Sequence, residues 1–102
     1  MVYEFGEFIL DTERHQLSRG GEPRHLEPQV YAVLCHLVEH HDRLVTSKEL
    51  IEHVWGHAGG VSRDQVKLYV SYLRRKLGQE ADGFTPIETV RGFGYRYVAQ
   101  SA

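Results

Sequence analysis

Between Ser62 and Gly78 the chain reads SRDQVKLYVSYLRRKLG, with Val66, Val70, Leu73 and Leu77 recurring at helical spacing. At about 100° per residue these four side chains cluster on one side of a helix. The stretch therefore predicts a helix over 62–77, with Ser62 as its cap and Gly78 as its end. A helix with one apolar stripe is stable only if other elements cover that stripe, so the rest of the chain has to supply the cover. At 102 residues, 41% of them hydrophobic, the chain makes one domain, residues 1–102, with enough apolar material for a small core.

Two further helices are legible upstream. From Pro28, Val30, Val33, Leu34, Leu37 and Val38 keep the helical period, and the proline stands at a first helical position, where its missing N–H costs nothing. TSKE at 46–49 has the capping-box form, in which the Thr46 hydroxyl and the Glu49 carboxylate each satisfy an orphan backbone donor. Leu50, Ile51, Val54 and Trp55 then form a short apolar stripe stopped by Gly56, with Trp55 in the core. Residues 2–26 read as a small antiparallel sheet: VYEFGEFIL is rich in aromatic and aliphatic residues, and HQLS, RGGE and PRHL read as strand, two-glycine turn and strand. Residues 28–78 form the three-helix core, and 85–99 form two extended segments joined across Gly92-Phe93-Gly94. The expected fold is α+β: an N-terminal antiparallel sheet, three helices and a C-terminal hairpin.

Charge is unevenly spread. Residues 1–61 carry ten acids against five bases, and residues 62–102 carry seven bases against four acids, so the two parts are −5 and +3 although the whole is only −2. The lone Cys35 excludes an internal disulfide and fits a reducing compartment. The N-terminus lacks a secretory pattern, and the longest apolar run is too short to span a bilayer. A cytoplasmic location without membrane contact is expected.

The outward side of the third helix collects Asp64, Lys67, Leu68, Ser71, Tyr72 and Arg75, with Arg74 at its margin. Cations, a hydroxyl and a thymine-sized apolar contact suit a helix in the DNA major groove. The same composition also fits an amphipathic helix whose Leu68 and Tyr72 pack on the hairpin. In ETVRGFGYRYV, extended chain follows the glycines, whereas a phosphate-cradling loop requires a helix N-terminus there. The stretch is read as a wing with Arg91 near its tip, Tyr95 and Tyr97 packing inward, and Arg96 outward as a phosphate contact.

TSKELIEHVWG, VKLYVSYLRRKLG and IETVRGFGYRY, in this order, resemble the winged-helix DNA-binding domain of OmpR/PhoB-type bacterial transcription regulators, and the resemblance runs from about Phe5 to Val98. It implies a four-stranded N-terminal sheet and a winged helix-turn-helix. The third helix would lie in the major groove of double-stranded DNA and the wing in the adjacent minor groove. Arg91 matches the family's wing arginine and Thr89 a phosphate-contacting position. The DNA-binding set is then Arg63, Lys67, Leu68, Ser71, Tyr72, Arg74, Arg75, Thr89, Arg91 and Arg96. The resemblance also implies tandem binding to direct repeats and contact of the 56–62 loop with RNA polymerase. Asp64, Lys67, Ser71 and Tyr72 depart from the family's usual residues, so the operator sequence does not carry over. HLEPQVYAVL is similar to regulators that carry this domain at the N-terminus of a longer chain.

Other readings lead to different chemistry. His36 with His40, and His53 with His57, have the i, i+4 spacing of paired imidazole ligands, yet no cysteine or carboxylate completes either set at a recognisable spacing. Cys35 and His36 are adjacent, hence about 100° apart on a helix, which suits a structural thiol rather than a nucleophile and its base. No metal, cofactor or enzymatic activity is expected. With no heptad seam or self-complementary apolar face, the domain is expected to be a monomer in isolation. The competing function is a winged helix that binds protein instead of DNA, for which Asp64, an exposed Leu68 and the acidic balance speak.

Overall fold

The computed structural model describes residues 1–5, 7–56, 60–77 and 86–98. Four strands open the chain: β1 (Val2–Phe5), β2 (Phe8–Asp11), β3 (Gln16–Arg19) and β4 (Glu22–Arg24), joined in sequential antiparallel order. The run 2–10 is thus two strands, paired from Val2 opposite Asp11 to Phe5 opposite Phe8. Strand alternation turns Phe8, Leu10 and Leu17 into the core while Ile9 stays 40% exposed, so the sheet has one dry face.

That face is covered by α1 (Pro28–Glu39), whose proline occupies the first turn and whose Val30, Tyr31, Val33, Leu34, Leu37 and Val38 are buried. The Tyr31 hydroxyl donates to the Asp11 carbonyl at 3.1 Å, fastening helix to sheet. A two-residue strand, β5 (Val45–Thr46), precedes α2 (Ser47–Leu50), which continues as a π-wound turn, Ile51–Trp55, closed at Gly56. The Thr46 hydroxyl accepts from the Glu49 N–H at 3.0 Å as the capping box requires. The Glu49 carboxylate does not complete the box. It accepts from Arg43 at 3.1 and 2.7 Å and contacts His36 instead, because a salt bridge and an imidazole outcompete one neutral backbone donor.

The long helix is α3 (Arg63–Leu77). Its box is reciprocal: the Gln65 N–H donates to Ser62 Oγ at 3.3 Å and the Ser62 N–H donates to Gln65 Oε1 at 3.0 Å. Val66, Val70, Leu73 and Leu77 are all buried, as their spacing predicts. Trp55 is partly buried and meets Tyr69 edge-on, with centroids 5.0 Å apart. Gly78, read as the end of this helix, and His57 lie outside the described residues.

The hairpin is β6 (Ile87–Val90) and β7 (Gly94–Tyr97), with β5 added on the far side of β7 to give the order β5-β7-β6. The third strand explains Gly94: a Cβ there would overlap the Val45 carbonyl and stand 2.7 Å from Thr46 Cα. Gly92, at φ +85°, makes the turn, and the Phe93 N–H donates to the Val90 carbonyl at 2.9 Å. Tyr95 and Tyr97 point into the core and Arg96 outward. The wing is thus built into the helical core through β5 rather than hanging from it.

Candidate nucleic-acid interface

The first turns of α3 and the wing form two walls of one open hollow. Arg63, Lys67, Thr89 and Arg91 line it, with Asp64, Ser47, Val90 and Gly92–Tyr95. Arg63 crosses the hollow, its Nη2 donating to the Gly92 carbonyl at 3.3 Å. Among the described residues, exposed Lys67 and Arg91 have no ion-pair partner. Asp64, the one acid here, lies in the first turn of α3, where its charge offsets the positive end of the helix dipole.

The outward side of α3 has the phase that its spacing predicts. Leu68 is 46% and Tyr72 41% exposed, so neither packs under the hairpin. Ser71 is half-buried between them and Lys67. Arg75 lies over the Tyr72 ring, 5.5 Å from its centroid, a cation–π contact that stiffens both side chains. Tyr72 and Arg75 face a second hollow, shared with Leu26 and Val30 on the sheet side of the molecule, and not the one beside the wing.

Two further arginines of the predicted set are also engaged. Arg74 is half-buried; its Nη2 donates to the Ile87 carbonyl at 3.0 Å and to Thr89 Oγ1 at 2.8 Å, and its guanidinium lies 6.0 Å from the Tyr95 ring centroid. Burial pushes the Tyr95 phenol up, and the nearby charges of Arg74 and Arg63 pull it back. Arg74 is thus a strut from α3 to β6, and Thr89 uses its oxygen as acceptor while its own hydroxyl proton stays available. Arg96 pairs with Glu88 at 2.8 Å across the β6–β7 register.

Sequence reasoning passed over two residues beside the hollow. Phe93, at the wing tip, is 63% exposed, and Lys48 shares a recess with it and with Arg63. The signal for Phe93 was a large aromatic between two turn glycines; Lys48 had none, since its neighbours come from other elements. Elsewhere, Glu49 of α2 brings to His36 and His40 the carboxylate that linear spacing did not reveal. No helix among the described residues is long and apolar enough to cross a membrane.

Comparison with known proteins gives the family and the fold. Residues 21–97 match the family model described as "Transcriptional regulatory protein, C terminal". The chain is 36% identical over 90 residues to the response regulator protein PmrA of Pseudomonas aeruginosa, covering 88% of this chain and 38% of that protein. It spans about two-fifths of the length of the curated relatives it matches. It superposes on the DNA-binding domain of Escherichia coli CpxR with a TM-score of 0.84 at 27% identity, covering 99% of both chains. On the Klebsiella pneumoniae RstA DNA-binding domain, solved in complex with the RstA box, the TM-score is 0.79 at 28% identity, covering 95% of this chain and 96% of that one. The chain belongs to the family of transcriptional regulatory protein C-terminal domains, of the OmpR/PhoB type, and has their winged-helix fold.

Proposed function

We propose that this chain binds double-stranded DNA in a sequence-dependent way and serves as the effector part of a transcription regulator. α3 lies in the major groove and the wing in the adjoining minor groove. The observation that carries this is the hollow between α3 and the wing, where Arg63, Lys67 and Arg91 converge on one exposed surface. Lys67, Leu68, Ser71 and Tyr72 meet base edges; Arg63 and Arg75 hold phosphates; and Arg91 enters the minor groove. Thr89 donates to a phosphate through its remaining proton. Arg74 acts indirectly by fixing the wing against α3, and Arg96 contributes only when it leaves Glu88. In a bacterial cell, where the chromosome lies in the cytoplasm, this DNA-binding surface works in that compartment.

Residues 1–102 act as one unit that reads one half-site. Two copies, monomeric in isolation, sit in tandem on direct repeats about 10–11 base pairs apart. Inserting five base pairs between half-sites should abolish cooperativity. The 56–62 loop, of which 57–59 lie outside the described residues, is the surface proposed to meet RNA polymerase. Selection of bound sequences from random duplex DNA tests the whole reading: a recovered half-site supports it, and unselective recovery contradicts it. The exposed Leu68, Tyr72 and Phe93 favour a second reading, a winged helix that binds protein. Failure to bind heparin or random duplex at low salt would select that one.

A further inference from the structure

We propose that the chain binds one transition-metal ion of the zinc, nickel or cobalt class between α1 and α2, on His36, His40 and Glu49. The two imidazoles stand four residues apart at the C-terminal end of α1 and therefore on one side of it, and Glu49 reaches them from α2. One ligand atom from each lies within 4.8 Å of the others, and all three residues are half-buried. Tetrahedral ligands about 2.1 Å from a metal stand about 3.4 Å apart, so this set is close to the required size. His36 Nε2 and Glu49 Oε2, now 2.6 Å apart, have to separate by about 0.8 Å as the proton between them leaves and the ion enters.

The donor set selects the ion. Two neutral imidazoles and one carboxylate suit zinc, nickel or cobalt, and are a poor match for magnesium or calcium, which prefer oxygen. The exposed ring of His53 stacks on His36 with centroids 4.9 Å apart, and is a neighbouring side chain that carries a further nitrogen. The opposing feature is Arg43, which holds both oxygens of Glu49 and keeps its carboxyl down at about 2. Arg43 is 50% exposed and can swing into water, so the ion and the guanidinium compete for one carboxylate. That competition gives the assignment a direct test. The ion would clamp α1 to the element that leads into α3, and the inference does not depend on DNA binding.

The test is titration of the tag-free chain with zinc by calorimetry and with cobalt by visible absorption. Saturation near one equivalent at micromolar or lower concentration, with ligand-field bands in the cobalt spectrum, is expected. His40→Ala and Glu49→Gln should each weaken binding at least about tenfold. His25→Ala, on an exposed residue remote from the cluster, should leave binding unchanged. Arg43→Ala should tighten binding, an effect that loss of folding cannot mimic. Several weak equivalents, undiminished binding in both folded ligand variants, or weaker binding in Arg43→Ala would overturn the assignment.

Discussion

Arg74→Met separates a strut from a phosphate contact. The substitution keeps most of the aliphatic stem and removes the guanidinium, so it deletes the 3.0 Å bond to the Ile87 carbonyl and the 2.8 Å bond to Thr89. Each charge-assisted bond contributes about 1 kcal/mol net at such a partly exposed place, and the Ile87 carbonyl loses its side-chain donor, so the cost is about 2 kcal/mol. In a domain of about 100 residues that lowers the melting temperature by about 8–16 °C. Circular dichroism melting and duplex titration at several salt concentrations read the two roles independently. A strut predicts the lower melting temperature, a larger affinity loss on the selected site than on random duplex, and an unchanged salt slope. Unchanged melting, with a slope shallower by about 0.9, would identify Arg74 as a phosphate contact and refute the reasoning.

Arg91→Ala should weaken specific binding by about 1–3 kcal/mol with little change in melting, since the side chain is exposed; equal affinity in variant and parent would remove the wing from the mechanism. Leu68→Ala should cost about 1 kcal/mol on the best site and leave non-specific binding intact, and a fall of several degrees in melting would show that Leu68 supports the core instead. Gly94→Ala should destabilise the fold by about 1–3 kcal/mol by forcing β5 away from β7, which loss of amide-exchange protection at Ser47, whose N–H donates to the Phe93 carbonyl beside this pair, would report. Native protection in that variant would contradict the close approach of the two strands.

The helices were legible because each declares itself locally. Val66, Val70, Leu73 and Leu77 carry the period of α3, and Pro28 marks the start of α1. The outward phase of Leu68 and Tyr72 followed from the same arithmetic. β5 was not legible, since two residues show no alternation and the strand exists only because β7 lies beside it. The π-wound turn was equally hidden: Leu50, Ile51, Val54 and Trp55 satisfy a helical stripe whichever way the backbone closes. At the site, side-chain type and face were readable, whereas partner choice was not. Arg74 and Arg91 look alike in sequence, and only the packing of β6 on α3 engages the first and leaves the second exposed. Glu49 shows the same limit, because its partners Arg43 and His36 come from a loop and from another helix.

The central claim is that Arg63, Lys67, Arg75 and Arg91 form a working cationic DNA-binding surface in a chain whose net charge is −2. The most direct measurement is the affinity of the chain for a duplex bearing its selected half-site between about 50 and 200 mM salt. Four side-chain cations brought into the counterion atmosphere of the duplex predict that log affinity falls with log salt at a slope of about −3 to −4. A slope near zero, or no binding at the lowest salt, would contradict the account.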